Sequence, residues 1–170
     1  MSGMETRFRL ARMSPVILVF TLGLLILPLV FIGSAVAGKL PLVIPGALLV
    51  AIYAWVWLGF RPRCFVVHPD AIDVIWPLKR RQIPRDDISS VRLIDKDEIR
   101  RETGWRVRVG AGGLWGGFGW LWTQRRGIVQ MYVSRTDGFV WIERVSDRPW
   151  LITPERPEAF VRALSNERTG

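Results

Sequence analysis

From Pro15 to Ala37 the chain runs for 23 residues without a charged side chain, and no other feature limits its fold so strongly. As a helix rising about 1.5 Å per residue, this run spans the roughly 30 Å apolar core of a bilayer. Ser14 and Pro15 supply an N-cap and a first helical position. Pro28 removes one backbone donor in mid-run, so a kink is expected there. After Gly38, Lys39 and Leu40, a second uncharged run extends from Pro41 to Phe60. Tyr53, Trp55 and Trp57 gather toward its C-terminal end, where aromatic rings suit the headgroup level. So short a connection makes the two helices antiparallel neighbours. Gly33 with Ala37, and Ala47 with Ala51, are the small residues expected to allow their close approach.

Arg7, Arg9 and Arg12 flank the first run and Arg61 and Arg63 the second, against Lys39 alone between them. Basic flanks stay on the cytoplasmic side, which puts both ends of the hairpin inside. The basic start, the apolar run and Ala35-Val36-Ala37 also resemble a secretory signal with its cleavage site. The run exceeds the usual signal core and a second one follows at once, so a spanning hairpin is the preferred reading. Cleavage after Ala37 would still leave the C-terminal part cytoplasmic. The expected organisation is a basic cytoplasmic tail over 1–14, a transmembrane hairpin over 15–60 with spans of 15–37 and 41–60, and a cytoplasmic domain over 61–170.

Residues 61–170 carry 20 basic and 14 acidic side chains, and their apolar residues alternate. A domain of this size buries a core without disulfides or a structural metal. Cys64 is the one cysteine and His68 the one histidine, too few for a zinc site, so no metal or cofactor is expected. Positive charge is spread along the chain rather than gathered on one helix. Nucleic acid is therefore not an expected partner, whereas the lipid bilayer and its anionic headgroups are.

Period-two alternation marks strands, as in Trp105, Val107 and Val109 against Arg106 and Arg108, or Val129, Met131 and Val133 against Gln130 and Tyr132. Asp137-Gly138 signals a hairpin between a strand ending near Ser134 and one over Phe139 to Val145. Further strands are expected at Phe65 to His68, Ala71 to Trp76, Arg80 to Ile83, Ile88 to Ile94, Phe118 to Trp122 and Pro149 to Thr153. So many short, closely spaced strands suggest an antiparallel barrel or sandwich. After Pro154 the period changes: Pro157 suits a first helical position, and Phe160, Val161 and Leu164 form one apolar stripe of a closing helix.

Two motifs in this half carry a resemblance. Ile83-Pro84-Arg85-Asp86-Asp87-Ile88 is similar to a turn leading into a strand, and Pro154 through Leu164 to a closing helix, of the bacterial pleckstrin-homology-like domains found in small membrane proteins. Gly110 and the glycine-rich aromatic segment after it resemble that family's middle region. The resemblance covers roughly residues 64 to 166. It implies a seven-stranded pleckstrin-like antiparallel barrel capped by a C-terminal helix, and with the two-helix transmembrane hairpin before it the expected chain is α+β. With the hairpin and its arginine flanks, the expectation is a multi-pass protein of the bacterial inner membrane. The first domain turn, His68-Pro69-Asp70, lacks the basic cluster that phosphoinositide-binding relatives carry there, so specific phosphoinositide binding is not expected.

The segment Gly110 to Trp122 holds six glycines together with Trp115, Phe118, Trp120 and Trp122. No Gly-Lys-Ser/Thr follows, which excludes a phosphate loop. Its aromatics either fill the barrel or form a contact surface for lipid or protein. The second reading places Trp115 and Phe118 at an exposed tip. Lys79, Arg80 and Arg81 are expected at a hairpin tip, as a solvated turn or a headgroup contact. His68 and Asp70 have no nucleophile placed with them, and Asp95, Asp97 and Glu98 lack calcium-loop spacing and read as a solvated loop. The function expected is a non-enzymatic, membrane-tethered module that engages a membrane-protein partner. Peripheral sensing of anionic lipid is the alternative, and an enzyme would need a cleft that no motif here supplies.

Overall fold

The computed structural model describes residues 6–165. The first five residues of the expected tail and residues 166–170 of the expected domain lie outside the described residues. The two uncharged runs are helices α1 (Pro15–Val36) and α2 (Val43–Gly59), joined by a short 3-10 turn, Leu40–Leu42. Their mean hydropathy reaches 2.9 and 2.0, yet only 11% of each apolar stretch is buried. A core helix of a soluble protein hides its apolar side chains; these two leave most of theirs exposed, which suggests association with a membrane.

Helix α1 continues through Pro28. Pro28 has no N–H to give the carbonyl of Leu24, and the Tyr53 hydroxyl of α2 donates to that oxygen instead, at 2.9 Å. The close approach falls at Gly46, where a Cβ would sit 3.2 Å from Phe31 Cβ. The expected small-residue pairs do not make it: Gly33 faces open space, and Ala37, Ala47 and Ala51 are exposed. Ala47 lies about 100° further round the helix than Gly46, which turns it away from α1.

The β domain contains two sheets. The first, in order β1-β2-β3-β4, holds β1 (Thr6–Arg9), β2 (Cys64–Val67), β3 (Ala71–Ile75) and β4 (Arg80–Pro84), all antiparallel. The second holds β5 (Ile88–Ile94), β6 (Arg106–Gly112), β7 (Gly117–Thr123), β8 (Gly127–Val133), β9 (Phe139–Arg144) and β10 (Trp150–Ile152). Its order is β5-β9-β10-β8-β7-β6, with β10 parallel to β8. The α+β class holds, but the expected closed seven-stranded barrel does not form. Strands β4 and β5 are not paired; the chain turns a corner between them through Arg85–Asp87, and β6 remains a free edge.

Two further departures follow from local chemistry. The N-terminal segment is not a free tail: Phe8 is buried between exposed Arg7 and Arg9, and the four residues pair with β2 in the register Thr6 to Val67. Asp95, Asp97 and Glu98 open helix α3 (Lys96–Thr103) rather than a loop. The Asp95 side chain caps it by accepting the Glu98 N–H at 2.7 Å, and the acids sit at the positive helix end.

The core between the sheets is built from Phe65, Ile72, Val74, Phe118, Val140 and Ile152. It is closed by Phe160 of helix α4 (Pro157–Ser165), whose ring meets Phe8 edge-on at 5.1 Å. A second cluster, with Leu121, Val129, Met131, Trp141 and Leu151, lies on the other face of the large sheet beneath Ile99 of α3. At the corner between the sheets, Asp87 accepts the Ser146 N–H at 2.8 Å and its hydroxyl at 2.6 Å through one oxygen, and the Arg144 Nε at 2.8 Å through the other. Burial pushes its carboxyl up, but these donors outweigh it and hold the pKa at about 2. The folded pKa lies below the unfolded value of about 3.9. The corner's stabilisation is therefore complete above the unfolded value and is lost as pH falls toward 2. In Asp87→Asn the acid limb of a melting-temperature profile, followed by near-ultraviolet circular dichroism in detergent, should flatten over this range. Stability at neutral pH should drop by about 1–3 kcal/mol.

Candidate functional site

The glycine-rich turn between β6 and β7 does not point into solvent; it docks on the hairpin. Thr21 of α1 is buried, and its hydroxyl accepts the Trp115 N–H at 2.9 Å while its proton lies between Ile17 O at 2.8 Å and Gly113 O at 3.2 Å. The Trp115 ring meets Trp57 edge-on at 4.7 Å and Tyr53 at 6.5 Å. Trp115 takes a left-handed φ of 60°, a strained state for a bulky residue, and the contacts around it hold it there. Gly116 is required beside it, since a Cβ would fall 2.2 Å from Val133 O. The expected exposed tip is thus an internal joint, with Trp115 half-buried in it.

Phe118 is fully buried, so it touches neither bilayer nor partner. It pairs with Tyr132 on β8 and lies under the four-stranded sheet. Trp120 and Trp122 share its face of β7 but extend beyond that cover, and they are 39% and 58% exposed. Across the strand pair, Val109 stands opposite Trp120 and Val107 opposite Trp122, and Trp105 continues the row at 73% exposure. The result is an aromatic and aliphatic stripe along the free edge of the large sheet.

Lys79, Arg80 and Arg81 meet Trp120 rather than Trp115. With Gln130, Tyr132 and Arg148 they border an open depression of about 580 Å³. Each basic residue is engaged. Lys79 Nζ sits 4.8 Å above the Trp76 ring, Arg80 binds the Asp73 carboxylate, and Arg81 pairs with Asp147 at 2.8 Å. Asp73, which the motifs did not mark, is fully buried on β3. Burial raises its pKa, but hydrogen bonds from Arg80 and from His68 at 2.6 Å win, so it stays below its ordinary value. Its role is to hold β2, β3 and β4 together. Among the described residues, no group of three His, Cys, Asp or Glu side chains could hold a metal ion.

The β domain is thus two packed sheets closed by a C-terminal helix, with an aromatic stripe at its free edge. A family model, the bacterial PH domain, matches residues 63–168. The match covers more than half of the chain, which therefore belongs to the bacterial PH domain family. No curated protein and no solved structure matches it. Strand β1 and the docked hairpin lie outside the matched residues.

Thr21→Val keeps the side chain's shape and removes its hydroxyl, leaving the Trp115 N–H without its acceptor. Full-length protein should lose about 1–2 kcal/mol of stability. Hydrogen exchange at the Trp115 amide should quicken, whereas unchanged exchange would show that the joint holds without this contact.

Proposed function

We propose that the chain is a two-pass protein of the bacterial inner membrane with both ends of its hairpin on the cytoplasmic side. Its PH domain is a non-enzymatic module that binds a protein partner at the membrane. The arginine flanks support the orientation, and the hairpin's exposed apolar surface supports the span. The observation that carries the binding role is the stripe of Trp105, Val107, Val109, Trp120 and Trp122. Large aromatics on a rigid strand pair lose little conformational entropy on binding and form the energetic centres of protein interfaces. Strand β6 also offers unpaired backbone groups on its outer edge, where a partner segment can add a strand.

A photo-crosslinking amino acid at position 122 of the full-length protein, in its native membrane, tests the reading. It should capture a discrete protein, and Trp120→Ser with Trp105→Ser should weaken that association by about thirtyfold or more. Crosslinks confined to lipid would sink the partner reading.

A further inference from the structure

Four arginines converge at the base of the hairpin. Arg7 and Arg9 stand two apart on β1 and project from its outer face, because Phe8 between them enters the core. Arg61 and Arg63 come from the four residues that link α2 to β2. With Trp57 they line one concavity of about 540 Å³. Among the described residues no carboxylate lines it and none of the four arginines has an acidic partner. Arg7 Nε reaches only the Cys64 sulfur, at 3.3 Å.

Arg61 is the least satisfied of the four. Its guanidinium stacks on the Trp57 ring at 4.3 Å, and its Nε is buried without an acceptor. Burial also pulls its pKa below the ordinary arginine value. The pairing of β1 with β2 forces these like charges together, and an uncompensated cluster of this kind is relieved by an anion. Its height selects which anion. Trp57 lies in the last turn of α2, so the cluster stands where the helix leaves the apolar layer, beside the exposed Trp55 and Leu58. Arginine forks match phosphate oxygens in pairs.

We propose that Arg7, Arg9, Arg61 and Arg63 clamp the phosphate headgroup of one anionic phospholipid whose acyl chains lie along the outer face of α2. This site rests on the reading of the hairpin as membrane-spanning and is independent of the partner stripe on β6 and β7.

Native mass spectrometry of the full-length protein in mild detergent tests it, with dioleoyl phosphatidylglycerol, dioleoyl phosphatidylcholine and glycerol phosphate as probes. One phosphatidylglycerol per chain should be retained in preference to phosphatidylcholine, and excess glycerol phosphate should not displace it. Arg7→Gln with Arg61→Gln should weaken retention by about fivefold per charge removed. Arg100→Gln with Arg101→Gln, the same charge change on exposed α3, should leave retention unchanged. Where circular dichroism shows the first pair misfolded, Arg9→Gln with Arg63→Gln, both exposed, replaces it with the same expectation. Equal loss in the α3 control, equal retention of phosphatidylcholine, or displacement by glycerol phosphate would each overturn the proposal.

Discussion

The pairing of β1 with β2 is the constraint from which the rest of the arrangement follows. These strands lie on either side of the apolar hairpin in the chain, so their four-residue ladder closes the hairpin at its base. The hairpin is thereby an insertion between two adjacent strands of one sheet, held at both ends. Both attachments are reinforced. On the entering side Ala11 N–H donates to Thr153 O at 2.9 Å, and the Ser134 hydroxyl to Ala11 O at 2.6 Å. On the leaving side the Trp76 indole N–H donates to Phe60 O at 3.2 Å.

A third attachment is formed by the turn between β6 and β7. One polar side chain in α1, Thr21, meets two backbone groups of that turn, while Trp57 and Tyr53 pack on Trp115. A threonine hydroxyl in an apolar helix normally bonds back to its own preceding turn, as Thr21 does with Ile17 O. Its second lone pair and shared proton reach outside the helix, and that spare capacity fastens the domain. Three separated points of attachment fix an orientation, where a single linker would leave the domain free to swing.

How much of this was legible in the sequence depends on the range of the force involved. The uncharged runs report themselves, because partition into an apolar phase needs no tertiary context. The closing helix is readable from its own period and from Pro157, and the Ile83 to Ile88 turn through its resemblance to the family motif. Strand β1 was not: Thr-Arg-Phe-Arg buries one large side chain and is stabilised by a strand more than fifty residues away. The tryptophan segment shows the boundary most clearly. Alternation correctly puts Phe118, Trp120 and Trp122 on one face of β7, yet Phe118 is buried and Trp122 is not. The difference is how far the four-stranded sheet extends over that face, which period two does not encode. The place of the Trp115 tip is likewise not encoded, since turn chemistry alone does not say what the turn will meet.

Fixed orientation gives the two surfaces different reach. The arginine cluster stands at the helix ends, whereas the stripe begins near the docked turn and runs along β6 and β7. At about 3.3 Å per residue, Trp122 lies about 15–20 Å along β7 from the turn that rests on Thr21. In the proposed topology a ligand of the cluster is part of the membrane surface, whereas the stripe lies further along the strand pair from the docked turn. In the proposed reading the charged site suits lipid and the aromatic site suits protein by their chemistry.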